Sequence, residues 1–69
     1  MKSPLFVFGK WYVTPHEWYS RGQRVPKDSL LFCVGKGERY KFLFLYQEFV
    51  VELVVISRNG WRELQDDGT

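Results

Sequence analysis

Sixty-nine residues with a formal net charge of +2 and 19% aromatic side chains suffice for one small domain, which buries only about 60% of its unfolded surface and therefore relies on large side chains. That composition excludes a disordered segment, and so small a net charge does not by itself call for a polyanionic partner. One cysteine and one histidine rule out an internal disulfide and a His/Cys metal site, so the expectation is no metal, no cofactor and a reducing, cytoplasmic compartment.

The chain opens with Leu5–Val13, LFVFGKWYV, which reads as a strand kinked or bulged at Gly9. Its first apolar run is shorter than the h-region of about 7–15 residues in a secretory signal. Leu5, Val7, Trp11 and Val13 share one parity; Phe6, Phe8 and Tyr12 share the other. The strand is therefore covered on both sides or shifts register at Gly9. Thr14-Pro15-His16-Glu17 carries helix-start chemistry: a capping hydroxyl, a proline for the first helical position and a carboxylate spaced to reach back. With Gly22 as the stop, a short helix is expected over Pro15–Ser20, and an irregular loop is the alternative. Val25 is held extended by Pro26, and Pro26-Lys27-Asp28-Ser29 reads as a type I turn.

Leu30–Val34 is the second strand and Gly35-Lys36-Gly37-Glu38 a glycine-rich turn. A two-residue loop would set Leu31 and Cys33 opposite Phe42 and Tyr40. A three-residue loop would instead pair Leu30, Phe32 and Val34 with Phe44, Phe42 and Tyr40. The second choice puts the more apolar parity in the core and is preferred, although one residue of slip reverses it.

Tyr40–Ile56, YKFLFLYQEFVVELVVI, is the centre of the chain. Folded at Gln47-Glu48, it pairs Tyr46 with Phe49, Phe44 with Val51, Phe42 with Leu53 and Tyr40 with Val55, all on one face. The opposite face, Leu45/Val50, Leu43/Glu52 and Lys41/Val54, is mixed. Glu48 and Glu52 keep this stretch below the 18 or so apolar residues of a membrane span. Asn59-Gly60 is the strongest short hairpin signal. It should return Trp61–Leu64 as a closing strand, with Arg58 facing Trp61 and Val55 facing Leu64. Gln65–Thr69 is acidic and should fray.

Turn signals about every 8–12 residues imply a mostly β single domain over residues 1–69, a five-stranded antiparallel barrel or strongly bent sheet with one short helix. A first strand, a long excursion, three strands joined by tight turns and a short closing strand make a layout that resembles an SH3-like barrel. The resemblance implies fold alone. The acidic loop and aromatic pattern with which SH3 domains take proline-rich ligands are not seen, so that ligand class is not carried over.

Catalysis is not expected. His16 reads as a surface residue of the short helix, Glu17 as its cap and Cys33 as a buried small hydrophobe. No HExxH, CxxC, GxSxG or P-loop spacing occurs. The leading reading is a non-catalytic protein-binding module. Trp18, Tyr19, Arg21, Arg24 and Lys27 form its candidate patch, because Trp, Tyr and Arg dominate interface hot spots. Two neighbours about 100° apart on a helix do not both point inward, so Trp18 or Tyr19 should be exposed. Arg58 with Trp61 is a secondary candidate, for which cross-strand packing with cation–π character is the stronger explanation.

The expected partner is another protein, and chains of this size are common among phage and mobile-element proteins that bind and inhibit a host protein. The alternative is nucleic acid, held by basic and aromatic residues of the 11–41 region as in other small barrels. It requires Arg21, Arg24, Lys27, Lys36, Arg39 and Lys41 to converge beside an exposed aromatic. The pI of 8.9 falls just short of strongly basic. A homodimer through an open sheet edge is a further expectation.

Overall fold

The computed structural model describes residues 5–64. Among these residues seven strands form: β1 (Trp11–Val13), β2 (Trp18–Ser20), β3 (Gln23–Val25), β4 (Leu30–Lys36), β5 (Lys41–Tyr46), β6 (Phe49–Val54) and β7 (Arg62–Leu64). Five make an antiparallel sheet in the order β6-β5-β4-β1-β7, and β2 with β3 makes a separate hairpin. The two end strands of the sheet, β6 and β7, do not pair with each other, so the sheet is not closed. The expected acidic tail, Gln65–Thr69, lies outside the described residues.

The central hairpin forms in the expected register, from Lys41 opposite Val54 to Tyr46 opposite Phe49. Its first rung beyond the strands also holds, with Val55 N donating to Tyr40 O at 2.9 Å. Phe42, Phe44, Val51, Leu53 and Val55 are buried, whereas Tyr40 and Phe49 at the two ends are exposed.

β4 corrects the preferred parity. Leu31 and Cys33 are buried and Leu30 and Val34 exposed, with Phe32 opposite Leu45 and Cys33 opposite Phe44. The register then steps to Gly35 opposite Leu43, so Val34 is an extra residue in a bulge. The strand continues to Lys36, and the chain reverses at Glu38-Arg39-Tyr40, where Lys41 N donates to Glu38 O at 2.9 Å. A bulge moves every residue on one side of it to the other face, and it outweighs the larger apolar sum of Leu30, Phe32 and Val34.

The first strand is shorter than expected. Gly9, at φ +83°, turns the chain, and its N donates to Cys33 O at 2.8 Å while Cys33 N donates to Lys10 O at 3.0 Å. The turn swings Phe6 off the sheet and into the core. Its ring meets Tyr12, Phe42, Phe44 and Trp61 edge-on, with centroids 4.8, 5.0, 5.1 and 4.8 Å away. This geometry suits the negative faces and positive edges of aromatic rings.

No helix occurs among the described residues, so the one expected over Pro15–Ser20 is corrected. Trp18-Tyr19-Ser20 is β2 and reverses into β3 at Arg21-Gly22, whose φ values of +51° and +82° are those of a type I′ turn. Gly22 terminates a strand with the same positive φ that would have ended a helix. A six-residue helix is below the length at which propagation repays nucleation, and its capping groups are used elsewhere. Glu17 pairs across the hairpin with Arg24. Thr14 Oγ1 accepts from Ser29 N at 2.9 Å and donates to Pro26 O at 3.1 Å. The Pro26–Ser29 turn forms, but Asp28 at φ +66° gives it the type II pattern.

The Asn59-Gly60 turn also forms, with Trp61 N donating to Arg58 O at 2.9 Å. Only Gly60 of that pair has positive φ, +86°. That is a type II pattern, which splays strands instead of closing a hairpin. β7 therefore leaves β6 and pairs with β1, setting Leu64 opposite Trp11. The expected facing of Val55 and Leu64 does not occur. The β2–β3 hairpin folds over the core side of the sheet: Val25 is fully buried, and Ser20 Oγ accepts from Glu52 N at the β6 edge at 3.1 Å.

Candidate interaction surfaces

Alternation along β2 turns Trp18 inward and Tyr19 outward. Tyr19 is 67% exposed. Trp18 is half-buried, stacked on His16 at 4.6 Å and set 5.9 Å from Trp61, and its Nε1 is buried without a hydrogen-bond partner. Arg21 bridges to Glu52 at 3.3 Å. Arg24 is held by Glu17, whose hydrogen bond and charge raise its pKa further. Lys27 is exposed at the β3–β4 turn. Among the described residues the hairpin patch thus offers one exposed aromatic, one cation outside any ion pair and two arginines ion-paired within the chain.

Trp61 belongs to the core, and Arg58 is half-buried against core rings. Trp61 is 7% exposed and stacks on Phe44 with centroids 5.8 Å apart. The Arg58 guanidinium carbon lies 5.1 Å from the Tyr12 ring and 5.7 Å from the Phe6 ring, a cation–π arrangement. Neither side chain projects as an anchor.

The cations named for nucleic acid divide between two ends. Lys36, Arg39 and Lys41 flank the β4–β5 turn with exposed Tyr40, whereas Lys27 stands at the opposite end of β4, a seven-residue strand roughly 20 Å long. Arg21 and Arg24 are ion-paired.

Cys33 lies in the core with no exposed surface, and burial raises its thiol pKa, the reverse of what a nucleophile requires. Because the fold favours the neutral thiol, the associated stability is complete below the ordinary thiol range and is lost as pH rises from there through the raised pKa of the folded state. Iodoacetamide at mildly alkaline pH is expected to label Cys33 at the rate of unfolding. Labelling as fast as that of a free thiol would place the side chain outside the core. His16 is exposed on the β1–β2 connection, its Nδ1 3.0 Å from Glu17 O. Among the described residues no group of three His, Cys, Asp or Glu side chains is placed to hold a metal ion, and no helix is long and apolar enough to cross a membrane.

One exposed apolar feature was not singled out by the sequence. Tyr12, Leu31, Cys33, Phe44 and Val51 occupy the core side of the sheet, so alternate residues face outward. Those outward residues align from strand to strand: Leu64 beside Trp11, Trp11 beside Phe32, Phe32 beside Leu45 and Leu45 beside Val50. The result is an apolar row across all five strands. Leu64 is 49% exposed, Trp11 40%, Leu45 37% and Val50 63%. Phe32 is half-buried at the centre, its ring 4.8 Å from that of Trp11. The signal was the doubly apolar pattern of 5–13 together with the pair Leu45/Val50 on the mixed face of the central hairpin.

Among the described residues, clefts open beside the row and away from it. One of about 320 Å³ separates the hairpin tip at Arg21-Gly22 from Phe49 and Val50; one of about 300 Å³ is bounded by Phe6, Val7, Phe8 and Lys36. No family model, curated protein or solved structure matches the chain.

Proposed function

We infer that this chain is a non-catalytic protein-interaction module, and that it binds through the outer face of its five-stranded sheet. The observation that carries this reading is the apolar row from Leu64 to Val50. Contiguous apolar patches of this kind on small proteins mark interaction sites, because leaving them wet forfeits the free energy of burying them. The bent sheet with β2–β3 folded across it is read as an SH3-like barrel left open between β6 and β7, working in the cytoplasm. Protein is favoured over nucleic acid because two of the six cations are already ion-paired and the others sit at opposite ends of β4. A bound phosphate backbone would need them together.

The test is an affinity capture comparing the wild type with Leu45→Arg on the outer face and Tyr19→Ala on the hairpin. A discrete partner lost with Leu45→Arg and kept with Tyr19→Ala is the expected result. Loss with Tyr19→Ala alone would return the surface to the hairpin. Binding to DNA or RNA at low salt that weakens steeply as salt is added would replace the protein reading with the nucleic-acid one.

A further inference from the structure

We propose that the outer sheet face takes a second copy of this chain, forming a symmetric face-to-face dimer centred on Phe32. The proposal rests on the reading of that face as an interaction surface and names its occupant. Three observations carry it.

The first is charge. The acidic and basic side chains at the margin of the apolar row are satisfied within the chain: Glu52 by Arg21 at 3.3 Å and Arg62 by Asp28 at 3.8 Å. Lys41 shares this face at the far end of β5 from Leu45 and pairs with no carboxylate among the described residues; the row itself carries no charge for a differently charged partner to complement. A neutral apolar surface is complementary to itself.

The second is area. The exposed parts of Trp11, Leu30, Leu45, Val50, Val54 and Leu64 amount to roughly 500 Å², near the upper end for the largest patch on a monomer. Phe32, Leu43 and the polar margin extend it toward the roughly 600 Å² per partner at which stable interfaces begin.

The third is symmetry. Two sheets stacked about 10 Å apart in an aligned sandwich bury interdigitating rows of this kind. With the two-fold axis in the interface and along the strands, the row runs in opposite senses in the two copies. Phe32, on the central strand β4, then meets its counterpart, and the bulky Trp11 of one copy lies over the smaller Leu45 of the other. Such an isologous contact closes on itself and does not propagate into a fibre.

The experiment is sedimentation equilibrium of the full chain over a concentration series, with Leu45→Arg and Val50→Lys as face variants and Tyr19→Lys as a control on the hairpin. Each variant's fold is checked by its amide NMR spectrum. The expected result is twice the 8.3 kDa chain mass for the wild type and the control above a dissociation constant in roughly the micromolar range. Both face variants should give the single-chain mass with spectra of a folded protein. A dimer that survives both face variants overturns the proposal and moves self-association elsewhere, the β7 edge first. A monomeric wild type also overturns it, and the capture experiment then separates the two readings. A partner lost with Leu45→Arg leaves the interaction face standing with a different occupant, and no such partner removes both.

Discussion

Replacing Phe6 with alanine is expected to destabilise the protein by about 3–5 kcal/mol. Phe6 has no exposed surface and lies outside every strand, yet four aromatic rings converge on it. Truncating a buried Phe costs about 3–5 kcal/mol through lost transfer energy and the cavity left behind. The whole stability of a 69-residue chain is only roughly 3–10 kcal/mol at the usual value per residue, so one substitution removes a third or more of it. Arg58 worsens the loss, because its guanidinium sits over the Phe6 and Tyr12 rings and would border a void. Phe6→Leu refills most of the volume and should cost no more than about 2 kcal/mol. Urea unfolding followed by tryptophan fluorescence reads both values. An alanine variant as stable as the wild type would show that the Phe6 ring does not pack in the core. The outer face offers the contrast: Val50 is 63% exposed, and Val50→Ala should change stability by less than about 0.5 kcal/mol.

That contrast also marks what the sequence could and could not disclose. The Tyr40–Ile56 hairpin was legible to the residue, because alternation over six strand residues on each side of a two-residue turn admits a single register that buries Phe42, Phe44, Val51 and Leu53 together. β4 was not, because a bulge at Val34 leaves no mark in an apolar pattern whose two parities are both apolar. The closing strand was located but given the wrong neighbour. Asn59-Gly60 makes a turn of either hand, and only the φ values separate a I′ hairpin from a type II departure. The same limit governs the site. That one of Trp18 and Tyr19 is exposed was legible, but not which, and it is strand alternation and not a helix that exposes Tyr19. The apolar row was illegible as a row: its five residues come from five strands, and only the registers of β1 with β4 and β7 bring Trp11, Phe32 and Leu64 together.

Thr14 provides the sharpest discrimination between what the sequence implied and what the chain does. As a helix N-cap, Thr14 would tolerate aspartate, which caps at least as well. In the observed fold the side chain is 1% exposed and clasps the Pro26–Ser29 turn, accepting from Ser29 N at 2.9 Å and donating to Pro26 O at 3.1 Å. The backbone of the same residue closes the clasp, with Thr14 N donating to Ser29 O and Asp28 N to Thr14 O, both at 3.0 Å. A carboxylate could accept from Ser29 N but could not donate to Pro26 O, and it would carry a buried charge with no cation in the clasp. Thr14→Asp is therefore expected to cost more than about 3 kcal/mol at neutral pH. Part of that loss should return as the pH falls and the carboxyl protonates, since burial raises its pKa. Thr14→Val keeps the shape, removes the hydroxyl and strands Ser29 N, for about 1–3 kcal/mol. Pro26 O suffers less, because it retains the Ser29 hydroxyl at 2.5 Å. Thr14→Ser keeps both hydrogen bonds and should lose only the methyl group, about 1 kcal/mol. The order Asp, then Val, then Ser in cost is the signature of a buried clasp. If Thr14→Asp were as stable as the wild type while Thr14→Val was not, the hydroxyl would be capping an exposed chain end. The excursion from Thr14 to Ser29 would then be organised as the sequence alone suggested.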